Sequence, residues 1–182
     1  MKGEIFNILE DFVVENWGEE VFEEIYDNIH NNLITKEPFV GPGTYPDSDF
    51  MSMVNATVEK LGVPLDQAMH AFGKYCFPRL GAKMPGYVEG FDHPKDFLKT
   101  VGDVIHVEVK KVFKDANPPD FKYRDPAPDK LVMIYQSKRK FYDFLEGLLA
   151  GTADHFNTEI SVKREIVATE PDEICEFELT FA

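Results

Sequence analysis

Tyr135, Ser137 and Arg139 stand two residues apart in the stretch YQSKRKF, 135–141. On a continuing strand such residues point the same way, about 6–7 Å apart. The row offers two hydroxyl donors and one guanidinium fork, and arginine grips carboxylates through two parallel bonds. It would suit a ligand presenting two neighbouring carboxylates. The flanking cations sharpen the point. Lys138, Arg139 and Lys140 are consecutive and fall where a helix is predicted to begin, so they oppose its dipole and call for an anion. The plain alternative makes Ser137 an N-cap and leaves Tyr135 and Arg139 as a solvated strand end.

A second group lies about 30 residues upstream. His106, in VGDVIHVEVKKVF, falls on a helical wheel between Gly102 one turn earlier and Val109 and Phe113 after it. A neutral imidazole in apolar surroundings is a good axial ligand for iron, and Gly102 would leave room for a flat ring. The alternative is a core histidine bonded to backbone. The other histidines fit a ligand role less well. His30 lies in polar HNN, His93 precedes Pro94 and can cap the helix that follows, and His70 and His155 sit among polar or small neighbours.

The elements that must position these groups change period halfway along the chain. Ile5, Phe6, Leu9, Phe12 and Val13 recur at helical spacing, and 19–33 form an acidic amphipathic helix. GPGTYP at 41–46 is a loop. Asp47-Ser48 can cap a third helix that Gly62 ends, Pro64 opens a fourth to about residue 77, and 81–94 are irregular. Pro94 then opens a long helix over 95–113. Beyond it Phe121 and Tyr123 alternate with Lys122 and Arg124, and Leu131, Met133, Tyr135 and Ser137 share a face. With DPAPD as the turn, this is a hairpin. A helix over 138–156 leads to a second hairpin, turning at TEPDE, from Ile160, Val162 and Ile166 to Cys175, Phe177, Leu179 and Phe181. Helices first and strands later give an α+β fold with an antiparallel sheet.

The 182 residues suit one domain, and the net charge of −14 argues against nucleic-acid binding. Sixteen Phe, seven Tyr and one Trp allow a core shaped around something large, or simply a Phe-rich core. Acidic residues interrupt the first apolar run, so it is no signal peptide, and no run is long enough to span a bilayer. Cys76 and Cys175 lie far apart without metal spacing. A cytoplasmic chain with free thiols is expected.

Taken together, the opening MKGEIF, the histidine in a long helix, the PPDF after it, and above all Y-x-S-x-R followed by KFYD and GLLAG resemble the H-NOX family. This is the haem nitric oxide/oxygen binding domain, found also in the β-subunit of soluble guanylate cyclase. The likeness runs from Met1 to the last hairpin. It implies one domain over 1–182, with a helical distal lobe (1–62) packed on a proximal lobe (63–182) that carries the ligand helix and a four-stranded antiparallel sheet, and haem b between them. Residue by residue it implies His106 as the proximal iron ligand and Tyr135, Ser137 and Arg139 as the clamp on the haem propionates. Pro119 would press on the macrocycle, and Ile5 and Leu148 would pack on the ring.

The resemblance also bears on the gas. Members that hold O2 use a distal tyrosine hydroxyl, because a donor stabilises the charge drawn onto bound O2. The matching position here is Phe144, and Tyr142 lies about 160° away on the helix. Leu9, Cys76 and Leu80 are the other positions implied for the distal wall, and none is a strong donor. The expectation is a sensor of NO and CO that excludes O2 and regulates a partner in trans, such as a histidine kinase or a cyclic-di-GMP enzyme. No clustered Cys and His accompany Cys175, so no zinc is expected. No Ser-His-Asp spacing, phosphate loop or HExxH motif points to an enzyme. The alternatives are an O2-binding haem sensor and a haem-free module for a dicarboxylate.

Overall fold

The computed structural model describes residues 1–169 and 173–182. Four helices come first: α1 Gly3–Trp17, α2 Glu19–His30, α3 Asp47–Leu61 and α4 Leu65–Lys83. The segment carrying His106 follows as α5 Pro94–Thr100, a π-helical turn Val101–Ile105 and α6 His106–Val112. Then come β1 Asp120–Ala127, β2 Lys130–Gln136, α7 Tyr142–Phe156, β3 Ile160–Ala168 and β4 Glu173–Phe181. The strands form one antiparallel sheet in the order β1-β2-β4-β3. The α+β architecture is therefore the one expected.

Local chemistry accounts for most boundaries. Gly62 ends α3 at φ 65, a left-handed conformation that costs glycine little. His93 caps α5, its Nδ1 accepting from the Lys95 amide at 3.2 Å. Lys95 itself is buried: its ammonium meets Asp125 at 2.6 Å and the carbonyl of Ala127 at 2.7 Å, which ties α5 to the β1–β2 turn. Asp47 departs from expectation. Pro46 is the N-cap of α3, and the Asp47 carboxylate is engaged elsewhere. The centre of the turn expected at TEPDE lies outside the described residues.

Among the described residues, buried side chains gather into two hydrophobic cores. One gathers Phe6, Leu9, Phe12, Phe50, Phe72 and Cys76 with their neighbours on α1 to α4. The other lies between the sheet and α7, from Phe77 through Leu131, Met133, Leu149 and Phe177. They do not part at residue 62. α4 straddles the division, giving Met69, Phe72 and Cys76 to the first core and Phe77 to the second. Leu148 on α7 packs against both. α4 and α7 touch backbone to backbone. A Cβ on Gly73 would stand 2.2 Å from the Phe144 carbonyl, and one on Gly147 2.0 Å from that of His70. Only glycine permits this approach, and it holds the two cores at a fixed separation.

Candidate functional site

Between the cores lies a cavity of about 910 Å³, at the upper end of what ligand pockets enclose. Its walls come from the start of α1, the end of α4, the helix carrying His106, β2, α7 and the segment 115–119. His106 is on the wall. Its Nδ1 lies 3.0 Å from the carbonyl oxygen of Pro119. A carbonyl only accepts, so Nδ1 carries the proton and Nε2 keeps its lone pair. Ligating histidines are fixed in the same manner, with the second nitrogen bonded to a carbonyl or carboxylate. The ring also stacks on Phe121, 5.6 Å between centroids. Burial holds the His106 pKa below its usual value, against the opposing pull of the Pro119 carbonyl, so the imidazole is neutral near pH 7.

The turn before His106 differs from the expected regular helix. The His106 amide bonds the carbonyl of Val101, five residues back. This wide turn takes in an extra residue, so Val101 rather than Gly102 shares the cavity wall with His106. Gly102 faces β1 instead. A Cβ there would meet Phe121 Cβ at 3.0 Å and the Tyr123 hydroxyl at 3.2 Å. The room expected over Gly102 for a flat ring is thus taken by strand residues.

Tyr135 and Arg139 line the same cavity. β2 stops at Gln136, so Tyr135, Ser137 and Arg139 do not form a strand row. A turn gathers them: the Arg139 amide donates to Ser137 Oγ at 3.3 Å, and the Phe141 amide donates to the Tyr135 hydroxyl at 3.3 Å. Ser137 backs this turn and bonds Tyr135 without lining the cavity. Burial raises the Tyr135 pKa, so the phenol stays protonated. The three cations are not a helix start either. Lys140 takes a left-handed conformation, φ 52, and α7 begins only at Tyr142. Lys140 pairs with Glu173 at 3.2 Å, and Arg139 Nε with Asp47 at 2.8 Å.

Asp47 is a site residue that sequence reasoning took only for a cap. Its carboxylate accepts from Arg139 and, at 2.6 Å, from the α-amino group of Met1. Burial pushes its pKa up, and these two hydrogen bonds more than offset it, leaving the carboxyl below its usual range. Two cations that line the cavity, Met1 and Arg139, thus share one carboxylate that lies off its wall. Asn117 was missed as well. Its carbonyl accepts from Arg139, so the short segment 117–119 holds His106 through Pro119 and Arg139 through Asn117.

The cavity wall also includes Ile5, Leu80, Phe144 and Leu148. Leu9 and Cys76, expected in this wall, lie instead in the N-terminal core, 3% and 0% exposed. Among the described residues, the hydroxyls on the cavity wall are those of Thr44, Tyr87, Tyr135 and Thr152. Thr152 donates to the Leu148 carbonyl, and Thr44 accepts from Lys2. Tyr142 points its hydroxyl at Glu173, 2.7 Å away, and is not on the wall.

A family model described as "Haem-NO-binding" matches residues 2–164. The chain belongs to this family. Solved structures agree over its whole length. The H-NOX protein from S. oneidensis in the Fe(II)NO ligation state is 28% identical, with a TM-score of 0.89 over 100% of this chain and 99% of that one. The unliganded Fe(II) H-NOX protein from K. algicida is 26% identical, with a TM-score of 0.88 over 100% and 97%. The H-NOX domain from Shewanella oneidensis in the Fe(II)CO state is 28% identical, with a TM-score of 0.87 over 100% and 99%. The chain is therefore an H-NOX domain, a haem-binding gas-sensor domain, and its cofactor is haem b. The cavity fits that group: one neutral imidazole with a free Nε2, apolar walls, and an arginine, a tyrosine and an ammonium. Among the described residues no helix is long and apolar enough to cross a membrane.

Proposed function

We propose that this H-NOX domain senses NO, and CO, at ferrous haem, excludes O2, and regulates a signalling partner in trans. When bound, the haem supplies a ferrous iron that takes a diatomic gas. His106 holds that iron through Nε2, while Tyr135, Arg139 and, behind them, Ser137 receive the propionates. Ile5, Leu148 and Pro119 pack on the ring, and Leu80 and Phe144 form the distal wall. Leu9 and Cys76 support that wall from the core behind it.

The gas preference is supported by the apolar side chains of Ile5, Leu80, Phe144 and Leu148 on the cavity wall, which carry no hydrogen-bond donor. Bound O2 draws charge onto its outer oxygen and needs a donor there; NO and CO need one less. Of the cavity's hydroxyls, that of Thr152 is spent on backbone, that of Thr44 on Lys2, and that of Tyr135 on the turn that carries the clamp. Solved relatives in the Fe(II)NO and Fe(II)CO states accord with this reading.

For signalling, the chain's own levers are α6 and segment 117–119. Weakening the hold on His106 frees α6 to shift while its Nδ1 bond to Pro119 keeps segment 117–119 in step. The helical lobe then moves against the sheet-bearing lobe, a two-state element that a ligand can bias. A histidine kinase or a cyclic-di-GMP enzyme would read the altered surface. The test is activity of such a partner with the ferrous domain and its NO complex. Equal effects of the two forms would reject regulation by NO.

A further inference from the structure

We propose that Tyr123, on β1 and off the cavity wall, is a positioning residue that sets the orientation of His106 by locking the π turn before it. The inference rests on His106 being the iron ligand. Two contacts carry it. First, the Tyr123 hydroxyl accepts the Gly102 amide at 3.0 Å. Gly102 lies inside the wide turn Val101–Ile105. Such turns are rare, are found at functional sites, and break the regular helical ladder. Closing this one to a regular α turn would rotate everything after it by about 100° relative to what precedes it. The Val101 carbonyl would then face residue 105 instead of 106.

Second, Tyr123 stacks on Phe121 at 6.3 Å and 26°, and Phe121 stacks on His106 at 5.6 Å and 28°. One tyrosine thus holds the imidazole from two directions: through the backbone of the turn and through a ring laid against it. Gly102 completes the fit, because any Cβ would meet both Phe121 and Tyr123. Burial pushes the Tyr123 pKa up to about 12, so the hydroxyl stays neutral and in place.

The test is Tyr123→Phe, which keeps the ring and removes the oxygen. Two readouts are taken: amide hydrogen exchange at Gly102, and the iron–histidine stretching band of the ferrous, gas-free protein by resonance Raman. Loss of one hydrogen bond should speed Gly102 exchange by about tenfold, and the band should shift or broaden. Tyr142→Phe, which loses a bond to Glu173 away from the ligand helix, should lower stability and leave the band alone. Faster exchange with an unmoved band would overturn the positioning role, as would an equal shift in Tyr142→Phe. If Tyr123→Phe does not fold, Gly102→Ala decides, since its added methyl should shift the same band and an unchanged band would overturn the proposal. Absence of any such band in the unmutated protein would instead reject His106 as iron ligand, and this inference with it.

Discussion

His106 Nδ1 lies 3.0 Å from the carbonyl oxygen of Pro119, thirteen residues further along the chain. That one bond selects the tautomer, leaves Nε2 with a free lone pair, and ties α6 to the segment that also reaches Arg139. Replacing the imidazole should therefore cost the metal bond and spare the cavity. His106→Gly is expected to lose haem on desalting and to regain it with free imidazole in the buffer. Haem retention without imidazole, read from the absorbance ratio of haem to protein, would point to another ligand.

Arg139 is charged, largely shielded from solvent, and shared between Asp47, Asn117 and the cavity. Arg139→Ala should weaken haem binding by roughly 1.5–3 kcal/mol for each charge-assisted bond lost, about ten- to a hundredfold. Haem transfer to apomyoglobin measures it, and an unchanged transfer rate would mean that Arg139 does not hold a propionate.

Asp47 gives a pH signature. Its carboxyl sits below the ordinary value of 3.8 in the folded protein. The unfolded chain therefore takes up the proton first. The stabilisation is fully present above about pH 5 and is lost as pH falls through the folded value. Asp47→Asn should flatten that part of the acid limb of an unfolding-midpoint curve. A limb of unchanged slope would mean that the Met1–Asp47–Arg139 link contributes nothing to folding.

How far could these contacts be read ahead of the structure? The antiparallel strand pairs β1–β2 and β3–β4, the helical first half and the Gly62 stop follow from periodicity and helix-end chemistry, and they stand as expected. The π turn was invisible, because periodicity was read at a constant 3.6 residues per turn through 95–113, and one wide turn shifts every later residue by about 100°. Gly102 was therefore set on the wrong face. The cations at 138–140 were misread as a helix start, since a single left-handed residue at Lys140 carries no glycine to announce it. Asp47 and Arg139 are 92 positions apart, and their pairing is purely tertiary. Leu9 and Cys76 kept the expected apolar character but not the expected wall, because a family resemblance carries over a position in the chain and not how deeply its side chain is buried.

The close approach of α4 and α7 predicts sharp sensitivity at Gly147. A methyl there meets the His70 backbone carbonyl, which cannot step aside as a side chain would. Gly147→Ala should cost about 1–3 kcal/mol, some 2–4 °C in Tm per kcal/mol for a domain of this size. A Tm within 1 °C of the unmutated protein's would contradict the backbone contact.

Phe144 is the position at which a hydroxyl could be added to the distal wall. The unmutated ferrous protein in air should form no lasting oxy complex, and Phe144→Tyr should begin to hold one. A stable oxy spectrum from the unmutated protein would refute the donor-free wall.

The most direct test of the whole account is the absorption spectrum of the purified protein, supplied with haem and reduced, before and after NO. The account predicts an intense Soret band from histidine-ligated ferrous haem that moves when NO is added. A protein that gains no such band, or whose band is unmoved by NO, would contradict it.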